Sequence, residues 1–208
     1  MINKNKAWAV VMLSLVVILP IISVLVMRQG FKARMNAKPS GLFSESSISI
    51  APYSFISQRG DTISSERMLD KVCVIEFFSN DCYRQRYDGE HPLFVLQEDY
   101  KGKTIALRIL SIPLDDSVQA NKELQEYSSR YAAREMWHVL GGDTTDAKNM
   151  FRNCLSFAEK NNMEERNFNC PQFVYLINKQ GKICGAYDPA DTEQFSGLYT
   201  DVLYLIDK

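Results

Sequence analysis

Val74–Ile75–Glu76–Phe77–Phe78–Ser79–Asn80–Asp81–Cys82 is an apolar run of strand length that ends on a cysteine. Asn169–Cys170–Pro171–Gln172–Phe173–Val174–Tyr175–Leu176–Ile177 is a second such run, opened by a proline with a cysteine just before it. Short continuous apolar runs bounded by turn residues read as strands buried on both faces. The proline constrains its own φ and biases the residue before it toward extended backbone, so Cys170 enters its strand from a defined turn.

Working outward, the chain alternates strand and helix signals. Tyr53–Ser57 and Thr62–Ile63 flank the turn Gln58–Arg59–Gly60–Asp61 and predict a hairpin. Val72–Phe78 is a central strand, and Thr104–Ile112 a second one. Between them, Leu93, Val95, Leu96 and Tyr100 have roughly helical spacing, which Gly89 and Pro92 interrupt at the front. Ser117–Ala133 predicts a helix with Val118, Leu124, Tyr127 and Tyr131 on its apolar stripe. Trp137–Leu140 is a short strand. Asp143 follows the turn Gly141–Gly142 as N-cap to a helix over 144–160. Phe173–Asn178 and Lys182–Tyr187 form a hairpin around Lys179–Gln180–Gly181, and 190–207 is a closing helix.

This order predicts an α/β fold: a thioredoxin-like sandwich over 51–208 with an N-terminal hairpin extension. In such a frame Cys82 ends a central strand, and the Cys170–Pro171 bond is expected to be cis and to face it, so that two sulfurs far apart in sequence meet. Cys82 follows a strand and precedes a helix start, where backbone N–H groups favour a thiolate. Arg84 and Arg86 add positive charge, and Asp81 opposes it.

The chain has 208 residues with 24 Lys or Arg and 25 Asp or Glu. The near balance conceals an asymmetry. Lys4, Lys6, Arg28, Lys32, Arg34 and Lys38 are the charged groups of residues 1–38, leaving 18 basic against 25 acidic groups beyond. A globular part of net charge −7 is a poor match for nucleic acid.

Ala7–Met27 is 21 residues without a charge, the length of a membrane-spanning helix, with Trp8 at its edge and Pro20 inside. No clear A-x-A site follows the apolar run before Arg28, so an uncleaved anchor is expected rather than a removed signal peptide. The chain thus divides into a short basic tail (1–6), a transmembrane anchor (7–27), a flexible linker rich in serine (28–50) and the domain (51–208). The basic flank after the anchor argues for a cytoplasmic domain. The very short leading tail argues for export, and the extracytoplasmic, periplasmic side is the expectation. Five cysteines leave at least one unpaired, or bridged to another molecule, in an oxidising compartment, and Cys73 and Cys184 read as small buried hydrophobes.

Four stretches carry a resemblance: YSFISQRGDTISSERMLDKVCVIEFFSNDC (53–82), LSIPLDDSVQANKELQEYSSRY (110–131), WHVLGGDTTDA (137–147) and CPQFVYLINKQGKI (170–183). In this order they resemble the SCO/SenC family over nearly all of 52–207. That family comprises membrane-anchored thioredoxin-fold proteins that serve copper delivery and thiol redox steps in cytochrome c oxidase assembly. The family's metal site is Cys-x-x-x-Cys with a distant His. Here Arg86 stands at the second Cys position and Cys170 at that of the distant His, so the CxxxC pair is missing. A thioredoxin CxxC is missing too, because Gln85 stands there.

The resemblance implies Cys82 and Cys170 as redox thiols or as soft ligands for copper, Cu(I) in particular, with Pro171 as the cis-proline beside them. If the segment 83–90 contains an insertion, His91–Pro92 replaces the family's Cys–Pro, and His91 becomes a third ligand. Asp115 and Asp116 fall near a family acid, and they read equally as a helix entry cap. His138 reads as structural.

Three functions follow. One is an assembly factor that delivers copper to a membrane oxidase subunit. Another is a single-Cys-type thiol–disulfide oxidoreductase or peroxidase with a thiol-redox partner. The third is a redox-inert binding module. The first is the expectation, which leaves enzyme activity open.

Overall fold

Seven residues, Val72–Phe78, form β3, and every one of them is buried. A strand covered on both faces needs helices on each side, and this sequence supplies them. The computed structural model describes residues 4–35, 38–79, 82, 90–115, 121–165 and 170–208. The chain divides into two units, 1–38 and the domain that begins at Pro39.

The first unit holds helix α1, Lys4–Met35, with Pro20 inside it. Its side chains are described at positions 8, 14 and 16–29, and over the described residues alone no helix is long and apolar enough to cross a membrane.

The domain contains β1 (Ser54–Ser57), β2 (Thr62–Ser64), β3, α2 (Pro92–Tyr100), β4 (Leu107–Pro113), α3 (Asn121–Arg130), β5 (Trp137–Gly141), α4 (Thr144–Lys160), β6 (Val174–Ile177), β7 (Ile183–Tyr187) and α5 (Thr192–Asp207). The strands form one sheet in the order β2-β1-β5-β4-β3-β6-β7. β3, β4 and β5 run parallel, while β6 and β7 pair antiparallel on one side and the β1–β2 hairpin on the other.

Alternation along β3 divides the core. Val72, Val74 and Phe78 pack under α2, α3 and α5, against Leu93, Leu96, Leu124, Tyr127 and Leu198. Cys73, Ile75 and Phe77 pack under α4, against Met150, Phe151, Cys154 and Phe157. The predicted Asp143 cap is present. Its carboxylate accepts from the Thr145 N–H at 2.7 Å, and that bond lowers the Asp143 pKa.

The stretch 28–50, expected as a flexible linker, is described at 28–35 and 38–50. α1 continues through Arg28 to Met35. From Pro39 the chain is an arm laid along β7 and α5. The Ser40 N–H donates to Asp201 Oδ1 at 2.6 Å, and Phe43 packs edge-on against Tyr204. Backbone bonds then run from Ser44 N–H to the Cys184 carbonyl (2.8 Å), from Ile183 N–H to the Ile48 carbonyl (2.9 Å) and from Ile50 N–H to the Gly181 carbonyl (3.1 Å). The physical reason is the outer edge of β7. Its unpaired backbone groups need partners, and the arm supplies them.

Candidate functional site: the Cys82–Cys170 disulfide and a buried carboxylate

β3 and β6 pair antiparallel, with Glu76 opposite Val174. Cys82 lies six residues beyond Glu76, and Cys170 four residues before Val174, so both cysteines leave the sheet at the same end. They are joined in a disulfide with Cα atoms 5.5 Å apart, within the ordinary range. Both are half-buried. The Cys82 N–H donates to the Ser79 carbonyl at 3.1 Å. On the other side, the Glu165 carboxylate accepts from the Gln172 N–H at 3.0 and 3.1 Å and fixes the entry to β6.

The expected cis bond is absent. No described peptide bond is cis, and Cys170–Pro171 is trans. Ladder pairing of β6 begins only at Val174, so the residues after Cys170 have room to turn without the cis form, and the ordinary trans preference prevails. The two sulfurs meet all the same.

On the α2–α3 face of β3, six residues before Cys82, lies a polar group that the sequence reading passed over. Glu76 sits in the middle of the apolar β3 run and is 1% exposed. A buried carboxylate must be hydrogen-bonded, and this one is. The Tyr127 hydroxyl donates to Oε2 at 2.8 Å, the Ser111 hydroxyl donates to Oε2 at 3.0 Å, and His91 Nε2 lies 3.3 Å from Oε1. The Trp137 indole N–H donates in turn to Ser111 Oγ at 2.9 Å. Ser111 stands opposite Glu76 in the β3–β4 register, so the sheet itself sets this contact. The signal was legible: a charged residue inside VCVIEFF demands partners.

His91 therefore does not join the cysteines as a ligand. It is 2% exposed and forms the N-cap of α2, where its Nδ1 accepts from the Leu93 N–H at 3.2 Å. An Nδ1 that accepts leaves the proton on Nε2, which faces Glu76. Both ring nitrogens are thus engaged inside the core, and the ring packs on Tyr131 and Trp137 at 4.5 and 5.1 Å. Among the described residues no cluster of three His, Cys, Asp or Glu could hold a metal ion.

The other candidates separate from the site. His138 is structural, as expected. Its Nδ1 lies 2.9 Å from Arg59 Nη2, and burial, then Arg59 and Arg108, pull its pKa down to about 4. Asp115 is half-buried beyond the end of β4. Asp81, Arg84, Arg86 and Asp116 lie outside the described residues. Cys73, Cys154 and Cys184 are free and buried. Burial raises the Cys73 thiol to about 12 and that of Cys184 to about 11, so both are inert.

A mixed sheet covered by helices on both faces, with a disulfide at the end of its central strand, defines a thioredoxin-like protein. The chain belongs to the SCO1/SenC family, whose model matches residues 44–196. The SCO1 protein homolog of Bacillus subtilis (strain 168) is 22% identical over 156 residues, 74% of this chain and 80% of that protein.

Among solved structures, BsSco, described for a disulfide switch in that member of the Sco family of cytochrome c oxidase assembly proteins, aligns with a TM-score of 0.60. The two are 18% identical over 79% of this chain and 97% of the other. The copper-bound structure of Bradyrhizobium japonicum ScoI gives a TM-score of 0.53 at 12% identity, over 74% of this chain and 98% of ScoI. Copper-bound yeast Sco1 gives 0.51 at 20%, over 71% and 88%. At these identities the structural likeness speaks for the fold.

Proposed function

We propose that this chain is a membrane-anchored SCO-type protein that assists cytochrome c oxidase assembly on the extracytoplasmic side, through thiol redox chemistry at Cys82 and Cys170 and delivery of Cu(I) by the reduced pair. The observation that carries the reading is the disulfide itself, placed half-buried at the end of the central strand. Two electrons and two protons convert it into two thiols. As thiolates these are the soft, low-coordinate ligand set that Cu(I) prefers. The oxidised pair offers no thiolate, so copper uptake would follow reduction. Anchoring is supported by the uncharged segment 7–27 within α1, where Val16–Leu19, Ile21, Ile22 and Val24–Met27 are all exposed. The partners would be an oxidase subunit that receives the copper and a thiol donor that reduces the pair.

Competitive titration of the reduced, full-length chain with Cu(I) tests this. The expected result is about one Cu(I) per chain, lost in Cys82→Ser and in Cys170→Ser and absent from the oxidised form. His91→Ala should keep the stoichiometry, because both ring nitrogens are engaged elsewhere. A double serine variant that binds as wild type does would end the copper reading.

One observation favours thiol–disulfide exchange without copper as a second reading: His91 is withheld from the cysteines, which leaves two sulfurs as the described ligand candidates. A reversible Cys82–Cys170 couple in a protein that binds no Cu(I) would select it.

A further inference from the structure

Cys170 enters β6 ahead of the ladder. Pairing of β6 with both of its neighbours begins at Val174, four residues on. Pro171 has no N–H, so the first backbone donor after Cys170 is that of Gln172. The Glu165 carboxylate takes it with both oxygens, at 3.0 and 3.1 Å. A bond to a charged acceptor is stronger than one between neutral groups. Phe173, the next residue, is buried on the α4 side of the core with Phe151 and Phe157.

Glu165 is held in its turn by the end of α4. Asn162 there is left-handed (φ 59°), and its N–H donates to the Glu159 carbonyl at 3.1 Å while the Met163 N–H donates to the Ala158 carbonyl at 2.9 Å. These two bonds are the helix-ending pattern that fixes the direction in which the chain leaves. Met163 packs against the α4 side of the core, and Glu165 stands two residues beyond it. Proline fixes its own φ and confines the residue before it to extended backbone. Cys170 is therefore two stiff residues away from a donor that the end of α4 holds.

Closing a disulfide costs the conformational freedom of the backbone that carries each sulfur, and a backbone already held brings its thiol to the partner at a higher effective concentration. We propose that Glu165 is a positioning residue for Cys170: after reduction its carboxylate keeps the entry to β6 in place, so that the pair recloses readily. This role rests on the redox reading above. In the oxidised chain the S–S bond itself holds Cys170, so loss of the carboxylate frees the reduced form more than the oxidised one and favours the open pair. The exchange that measures this balances. One dithiothreitol dithiol and the protein disulfide give two protein thiols and the cyclic dithiothreitol disulfide. One S–S bond breaks, one forms, and two hydrogens pass to Cys82 and Cys170.

The test equilibrates the full-length chain in detergent with dithiothreitol buffers of graded ratio and counts thiols by alkylation, above the constant background of the free Cys73, Cys154 and Cys184. In Glu165→Ala the equilibrium constant for closing the disulfide should fall about fivefold, roughly 20 mV for this two-electron couple. Glu165→Gln keeps one acceptor oxygen for the Gln172 N–H and should stay within about twofold of wild type. Hydrogen exchange of the Gln172 amide in the reduced chain is the second readout. It should be slow in wild type and in Glu165→Gln, and fast in Glu165→Ala.

Asp143→Ala is the control for general destabilisation. It removes a carboxylate that makes the same kind of bond, to the Thr145 N–H at the other end of α4, and should leave the constant unchanged. Glu165→Ala within about twofold of wild type would overturn the positioning role alone. So would an equal shift in Glu165→Gln or in Asp143→Ala, or equal Gln172 exchange in reduced wild type and Glu165→Ala. A wild-type chain that never recloses in oxidising buffer would overturn the redox reading and the positioning role together.

Discussion

Among the described residues of this domain two carboxylates are buried, Glu76 on the central strand and Asp201 on α5, and they are satisfied in different ways. Three partners of Glu76 come from the core: Ser111 across the sheet, Tyr127 from α3 and His91 from the start of α2, each no more than 2% exposed. Asp201 draws on Tyr187 of β7, at 2.6 Å, and on the backbone and hydroxyl of Ser40, which is half-buried on the N-terminal arm. Burial beside Asp201 pushes the Tyr187 hydroxyl's pKa upward. The difference teaches where each cluster can yield. Ser40 can lift off with the arm and find water, whereas Ser111, Tyr127 and His91 reach solvent only if the core opens.

The largest effect should come from Glu76→Ala. It leaves an imidazole N–H and two hydroxyls facing a cavity, and should cost about 3–5 kcal/mol in chemical denaturation of the disulfide-intact protein. A loss under about 1 kcal/mol would mean that water enters and that the two clusters are alike. Asp201→Ala should cost less, about 2–3 kcal/mol, with faster backbone hydrogen exchange along Ser44–Ile50 and Ile183 as the arm loosens. Equal exchange protection in variant and wild type would show that the edge bonds of β7 hold the arm without the carboxylate.

His138 sets a pH background for both measurements. Its pKa is lowered from 6.5 to about 4, so the unfolded chain binds the proton first and the folded state loses stability as pH falls from 6.5 toward 4. Between pH 7 and pH 5 the loss should be about 2 kcal/mol, and His138→Gln should flatten it. If the slope survives in His138→Gln, another group carries it.

Asp143, an exposed carboxylate that caps α4, makes the same kind of hydrogen bond without burial. Asp143→Ala should lower the thermal midpoint least of the four variants. A fall as large as that of Asp201→Ala would show that burial adds nothing to the comparison.

Much of the scaffold was legible in the chain. The α4 boundaries, with their Asp143 cap, follow from local chemistry: a β-region cap residue, a 3.6-residue apolar period and a helix that needs no distant partner to be recognised. The β6–β7 hairpin and the all-buried β3 follow from their turn residues and continuous apolar runs. The meeting of Cys82 and Cys170 followed once those strands were ordered as neighbours. The isomer at Pro171 did not, because an X–Pro sequence is compatible with either form and the surrounding chain chooses.

Other features rest on contacts between residues far apart in sequence, which period and propensity do not carry. Ser40 reaches Asp201 across 161 positions, and a serine-rich stretch looks flexible until an uncovered strand edge gives it backbone partners. His91 looked free to bind a metal because a sequence lists its donor atoms without saying which are already engaged. Residue types and their spacing determined the layered fold, the anchor candidate and the two sulfurs. Only the tertiary structure decided that His91 belongs to Glu76, that Tyr127 joins them, and that the arm is part of the domain. A buried polar atom takes whatever partner packing brings within about 3 Å, and that choice is made by the whole fold at once.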